Sequence, residues 1–248
     1  MRCVTRIAAL TLLLLAASPP VKAEFSAEQR TEIVTIIRDA MRQDPSILRD
    51  AITALQSDEG VRDQAHARDA LLSVRDRLVN AADPVAGNPD GDVTIVEFFD
   101  ARCPYCKKLE PEMAKFLAGD KKVRLVYKDL PILGPASMLA SKALLAAHRQ
   151  HGYEAYRSAV MKLPADITPA LLEAAAKKLG LDWARLSRDM EDAAIKQQID
   201  TNLALAHTLS IQGTPALIVG DEIVPGAIEL DDLAKLVAAA RRTNTNGP

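Results

Sequence analysis

The chain has 248 residues, 48% of them hydrophobic and 26% charged, which is enough apolar material for a sizeable core and too much charge for a bundle of membrane helices. A formal net charge of -2 leaves no basic field to attract nucleic acid. The length suits one domain with an additional element rather than a string of domains.

Arg2 and Arg6 make a positive start, residues 7–17 an apolar run, and Val21-Lys22-Ala23 a small-x-small cleavage site. Together they read as a secretory signal peptide over residues 1–23, removed to leave a chain that begins near Glu24. As a membrane anchor the apolar run is short of the ~20 residues that span a bilayer, and Ser18-Pro19-Pro20 breaks it. Cys3 precedes the run, so it is not placed to carry a lipid and leaves with the signal. Export implies an oxidising compartment, and the two remaining cysteines, Cys103 and Cys106, form one close pair rather than a disulfide framework. The pair therefore reads as catalytic.

Residues 24–83 carry a helical pattern. Ser26 is placed as an N-cap with Gln29 at the capping-box position, and Ile33, Ile36, Ile37, Ala40 and Met41 fall on one face. Asp44-Pro45 restarts the helix, with Asp as cap and Pro at the first helical position, and Ile47, Leu48, Ala51, Ile52 and Leu55 continue the stripe. A third stretch is expected from near Ser57, carrying Leu71, Val74 and Leu78. The turn-rich residues 83–92 end the helices, and a catalytic domain is expected over 84–243. Residues 93–99 read as a strand buried on both faces, residues 109–117 as part of a helix closed by Gly119-Asp120, and residues 123–127 as a second strand. A turn at 131–135 leads into a helical insertion over about 136–209, with Thr168-Pro169 and Asp182 as start signals. Residues 216–219 and 223–224 flank a turn at Gly220-Asp221-Glu222, and residues 229–240 form a last amphipathic helix. No internal repeat or low-complexity segment interrupts this order.

Cys103-Pro104-Tyr105-Cys106 can close a small disulfide loop, and Pro104 suits the first turn of a helix because its missing N–H would be unpaired there. The Cys103 sulfur is then expected at the N-cap, exposed and facing the N–H groups of the first turn, with Cys106 tucked behind. A thiolate gains more there than a thiol, about 1.4 kcal/mol per unit by which its pKa falls, and the disulfide becomes the better oxidant. Cys106 needs a base, and Glu97, inside an apolar strand just ahead of the pair, is the candidate because burial raises a carboxyl toward neutrality. The plainer alternative is a carboxylate reaching solvent at the strand end. A structural zinc site competes for the motif but needs four ligands, and no second cysteine pair is present. His148 and His151, close together on a helix without a third partner, read as surface residues, and His66 and His207 have no suggestive neighbours. Trp183 is expected to pack within the helical block.

Residues 97–106, Glu-Phe-Phe-Asp-Ala-Arg-Cys-Pro-Tyr-Cys, resemble the active-site stretch of the DsbA-like bacterial disulfide oxidoreductases. In that family a buried glutamate precedes a strand-to-helix Cys-Pro-x-Cys by the same spacing. Gly213-Thr214-Pro215 looks like the family's cis-proline loop, and Pro131-Ile132-Leu133-Gly134-Pro135 is a segment also familiar there. The resemblance implies an α/β, thioredoxin-like fold with an inserted helical domain and a redox disulfide between Cys103 and Cys106. It further implies Glu97 as the buried glutamate that exchanges protons, Pro104-Tyr105 as the active-site dipeptide, and Thr214 and Pro215 as the loop that receives a substrate strand. No organic cofactor is implied.

Phe25-Ser26-Ala27-Glu28-Gln29 through Asp44-Pro45-Ser46-Ile47-Leu48 looks like the N-terminal extension of ScsC-type proteins, suppressors of copper sensitivity. In that subgroup the extension joins protomers, so the resemblance implies a periplasmic homotrimer, disulfide isomerase activity on misbonded exported proteins, and a membrane redox partner. The apolar stripes at Ile33, Ile37, Ile52 and Leu55 must bury against something, at ~25 cal/mol per Å² of apolar surface; packing back onto the same chain is the other way to cover them. A binding-class alternative uses the same two thiolates, Cys103 and Cys106, to capture Cu(I), a soft ion that thiolates suit.

Overall fold

The structure is a computed structural model that describes residues 25–245, without the side chains of residues 51–64 and 244–245. The expected signal peptide over 1–23 and Cys3 lie outside the described residues, as do the side chains of Ile52 and Leu55. By packing, the chain divides into a unit ending at Glu59 and a unit running from Gly60.

In the first unit, α1 (Ala27–Gln43) begins on a capping box: the Ser26 hydroxyl accepts from the Gln29 N–H, and the Gln29 side chain accepts from the Ser26 N–H. Asp44 ends α1, and its carboxylate accepts from the N–H and hydroxyl of Ser46, where α2 (Ser46–Leu78) starts. No residue of α1 is buried; Ile33, Val34, Ile36, Ile37 and Met41 all stand in solvent, Ile36 at 60% exposure. The restart expected near Ser57 is absent. No proline follows Pro45 in this stretch, and Gly60 costs a helix only ~1 kcal/mol, so α2 continues through it.

The second unit is built on a five-stranded mixed sheet in the order β1-β3-β2-β4-β5. Its strands are β1 (Val85–Gly87), β2 (Val93–Phe99), β3 (Val123–Asp129), β4 (Ala216–Val219) and β5 (Glu222–Pro225). β2 and β3 run parallel, joined by α3 (Pro104–Gly119), and the other pairings are antiparallel. β1 lies in the stretch read from sequence as a turn; three residues leave no periodicity to detect. Five helices fill the connection between β3 and β4: α4 (Pro135–His148), α5 (Tyr153–Met161), α6 (Pro169–Lys178), α7 (Trp183–Asp189) and α8 (Ala193–Thr208). Thr168 and Asp182 cap α6 and α7 through side-chain acceptors, and Trp183 packs half-buried against the core. The chain closes with α9 (Leu230–Thr245).

Strand side chains alternate between faces, and this divides the core in two. Ile95, Phe99, Leu125, Tyr127 and Leu217 meet α3, the inserted helices and α9. Val96, Phe98, Val126 and Ile218 meet Leu71, Val74 and Leu78 of α2 and Leu205 of α8. Glu97 belongs by alternation to the first face. Lys128 belongs to the second, where it is fully buried and donates to Asp83 Oδ2 at 2.6 Å, tying the end of the α2 segment to the sheet.

Candidate active site

β2 ends at Phe99, and residues 100–102 turn the chain into α3, with Pro104 in the first helical turn and Cys103 as the N-cap residue. The Cys103 N–H donates to the Asp100 carbonyl at 3.0 Å, and its own carbonyl accepts from the Lys107 N–H at 3.1 Å. The sulfur does not take the capping position expected of it: no side-chain cap bond forms. Instead the thiol donates to the Thr214 carbonyl at 3.1 Å. An S–H is a donor that needs an acceptor, and the loop facing α3 supplies one. The same loop covers the sulfur, so Cys103 is 4% exposed rather than open, while its neighbour Tyr105 stands at 64%. The Thr214–Pro215 bond is cis, and the Pro215 carbonyl is occupied by the Gly226 N–H.

Cys106 is fully buried. Burial pushes its thiol far above the ordinary range, against the lowering effect of a backbone hydrogen bond at Asp100 and with a further push from the Glu97 carboxylate, so the neutral form is strongly favoured. Glu97 is buried in the layer beneath, which removes the reading of a carboxylate reaching solvent. Desolvation raises its pKa against the lowering pull of Arg157, whose guanidinium donates to Glu97 Oε1 at 3.1 Å. The second oxygen, Oε2, is buried with no hydrogen-bond partner.

A set of polar contacts frames the cysteines. Asp100 accepts from the Arg102 N–H at 2.8 Å through Oδ1 and from the Leu133 N–H at 3.0 Å through Oδ2. The Arg102 side chain donates to the carbonyls of Leu133 and Ala165, and Lys107 donates to the Leu163 carbonyl at 2.5 Å. The Cys-x-x-Cys segment, the 131–135 loop and the loop between α5 and α6 are thereby held together. Ile132 and Leu133 stand exposed on this rim with Tyr105. On the other side of the cis-proline loop, Leu209, Ile211, Thr214, Pro215, Ile223 and Pro225 line a groove of about 720 Å³ that reaches His66 on α2.

Sequence reasoning selected Cys103, Cys106, Glu97, Pro104, Tyr105, Thr214 and Pro215, and all of them lie in one region of the second unit. It passed over Arg157, Asp100 and Arg102. Arg157 had a usable signal: with Tyr153, Tyr156, Val160 and Met161 it sits at helical spacing on the buried face of α5, where an arginine has no business without a partner. His148 packs edge-on to Tyr153, His207 is exposed, and no group of three or more metal-ligating side chains is found among the described residues.

The profile of the DSBA-like thioredoxin domain matches residues 94–238, more than half of the chain. The chain belongs to the DsbA-like thioredoxin family. Residues 29–60 match a second profile, the copper resistance protein ScsC N-terminal domain. A thioredoxin-like oxidoreductase from Silicibacter pomeroyi is 40% identical, with a TM-score of 0.64 over 71% of this chain and 98% of that one. Proteus mirabilis ScsC, in a transitional conformation, is 32% identical, with a TM-score of 0.65 over 89% of this chain and 99% of that one. Among curated proteins, a Na(+)/H(+) antiporter NhaA of Salinispora arenicola is 28% identical over 182 residues, 69% of this chain but only 28% of the antiporter's length. No helix among the described residues is long and apolar enough to cross a membrane. The chain is thus a DsbA-like thiol–disulfide oxidoreductase family member carrying an ScsC-type N-terminal domain.

Proposed function

We propose that this protein exchanges disulfides with exported polypeptides in the periplasm through Cys103 and Cys106. The observation that carries this reading is the Cys103 sulfur lying 3.1 Å from the backbone of the Thr214–Pro215 loop, with the neutral Cys106 thiol buried behind it. A client strand laid along that loop brings its own sulfur to Cys103.

In the reduced protein, Cys103 loses its proton and attacks a client disulfide. One client sulfur leaves as a thiolate, and a Cys103–client disulfide forms. From there two routes open. The freed client thiolate attacks elsewhere and finally displaces Cys103, which rearranges the client with no net oxidation. Alternatively, Cys106 passes its proton to Glu97 and attacks Cys103; the Cys103–Cys106 bond forms, the client leaves as a thiol, and the client has gained two electrons. A membrane redox partner then restores the starting state.

The N-terminal match and the uncovered apolar residues of α1 support a trimer whose active sites serve one misbonded client, which favours isomerisation. The same match supports a second reading, in which the paired thiolates take up Cu(I). The contact of the Cys103 sulfur with the Thr214–Pro215 loop favours exchange. Refolding of scrambled ribonuclease and reduction of insulin test the reading: Cys103→Ser is expected to lose both, and wild-type levels in that variant would remove it. A Cu(I) complex of the reduced protein that survives loss of either cysteine would remove the second reading.

A further inference from the structure

The inserted helices contribute a charge to the redox centre. Arg157, on α5, is 3% exposed and reaches the sheet at Glu97, Phe99 and Tyr127. Its guanidinium carbon lies 4.4 Å from the ring centre of Phe99 and 4.2 Å from that of Tyr127. Those are the residues that flank Glu97: Phe99 is two positions along β2, and Tyr127 is its register partner on β3. The contact to Glu97 Oε1 is 3.1 Å, and Glu110 of α3 lies 4.0 Å from another guanidinium nitrogen. Two rings and two carboxylates from three elements thus fix one cation, and a lysine could not fill that planar slot.

We propose that Arg157 is a positioning residue for proton transfer at Cys106: it anchors one oxygen of Glu97 and leaves the other, Oε2, unpaired as the proton acceptor. This rests on the exchange reading above. In the resolving step the S–H bond of Cys106 breaks, its proton forms an O–H bond on Glu97 Oε2, and the sulfur's electron pair attacks Cys103 as the client sulfur departs. The proton afterwards leaves Glu97 for the client thiolate or water. Without the guanidinium, a carboxylate in this dry layer would hold its proton to higher pH and be less often free to accept.

The charged and titratable groups around the pair are Glu97 on β2, Cys106 and Glu110 on α3, Tyr127 and Asp129 on β3, and Tyr153 on α5 itself. Asp129 also feels Arg157, so a test must separate the two acids.

The full chain is reduced and mixed with oxidised glutathione, and formation and resolution of the Cys103–glutathione disulfide are followed by acid quench and mass between pH 5 and 9. Arg157→Met is expected to move the rising limb for resolution upward by at least about half a pH unit, slowing the step about threefold on that limb. Arg157→Lys should recover part of the shift. In a Glu97→Gln background, Arg157→Met should move nothing further. A uniform slowing without a shifted limb, or an equal shift in the Glu97→Gln background, overturns the proposal; the second result would transfer the effect to Asp129. Should Arg157→Met fail to fold, Arg157→Lys with and without Glu97→Gln decides on the same criteria. If the wild type forms no adduct, or Cys103→Ser still does, the exchange reading itself fails, which is a different result from any Arg157 outcome.

Discussion

Asp129 is the buried acid with the clearest pH signature. It sits at the end of β3, its Oδ2 accepts from the Tyr153 hydroxyl at 3.0 Å, and Oδ1 has no partner. Desolvation lifts its carboxyl from 3.8 to about 7, against the lowering effect of hydrogen bonds from Tyr153 and Ser141. The folded state therefore binds a proton that the unfolded chain has already released between those values. Its contribution to stability is full below pH 4 and is lost as pH rises through 7, by a few kcal/mol at most. Asp129→Asn should flatten this fall, and urea unfolding at pH 4, 5.5 and 7.5 measures it; parallel curves for both proteins would refute the assignment. At this scale the sequence showed the cysteines, Glu97 and the proline loop because each is written in a short, ordered motif. It did not show where the Cys103 sulfur points, since that depends on an acceptor 111 residues away. Nor did it reveal Asp129 or Arg157, whose roles arise only when α5 is folded against β2 and β3.

Elements were legible wherever a period or a stop signal was strong. The buried strands β2 and β3, the Cys103-Pro104 start of α3, the caps of α1, α6 and α7, and the hairpin of β4 and β5 all follow from local chemistry. The three-residue β1 and the unbroken course of α2 do not. A domain boundary at Pro84 follows the loss of helical pattern, yet Leu71, Val74 and Leu78 of α2 are core residues of the sheet's second face. A truncation meant to remove only the first unit should therefore stop before Gly60. Within the second unit, the segment after α2 is further held to the sheet by Asp83 and Lys128, both fully buried. Asp83→Asn leaves the Lys128 ammonium in the core without its carboxylate, and should cost about 3–5 kcal/mol in urea unfolding of the full chain. Replacing both residues by apolar ones of similar size should recover most of that loss; an unchanged midpoint in the single variant would show that the pair holds nothing.

For the molecule as a whole, α1 is the element whose apolar residues call for a covering surface. Its isoleucines are exposed, and ~25 cal/mol per Å² favours burying them on another surface. If copies of the chain supply that surface, Ile33→Glu with Ile37→Glu should lower the solution mass to that of one chain. Isomerase activity should fall severalfold, while insulin reduction per Cys103 is retained. Light scattering and the two activity assays check this, and a wild type that is already monomeric removes the trimer. The fold class and the order of the parts were readable because the motifs come in sequence order; assembly was not, because the stripe on α1 is too short and irregular to name its partner.

The anchors that hold the redox segment to its neighbours are Asp100, Arg102 and Lys107, and all three lie outside the cysteine ring. Between the cysteines, Pro104 and the outward-facing Tyr105 take no part in that scaffold. A change at Tyr105 should therefore leave the hydrogen bonds of this scaffold in place.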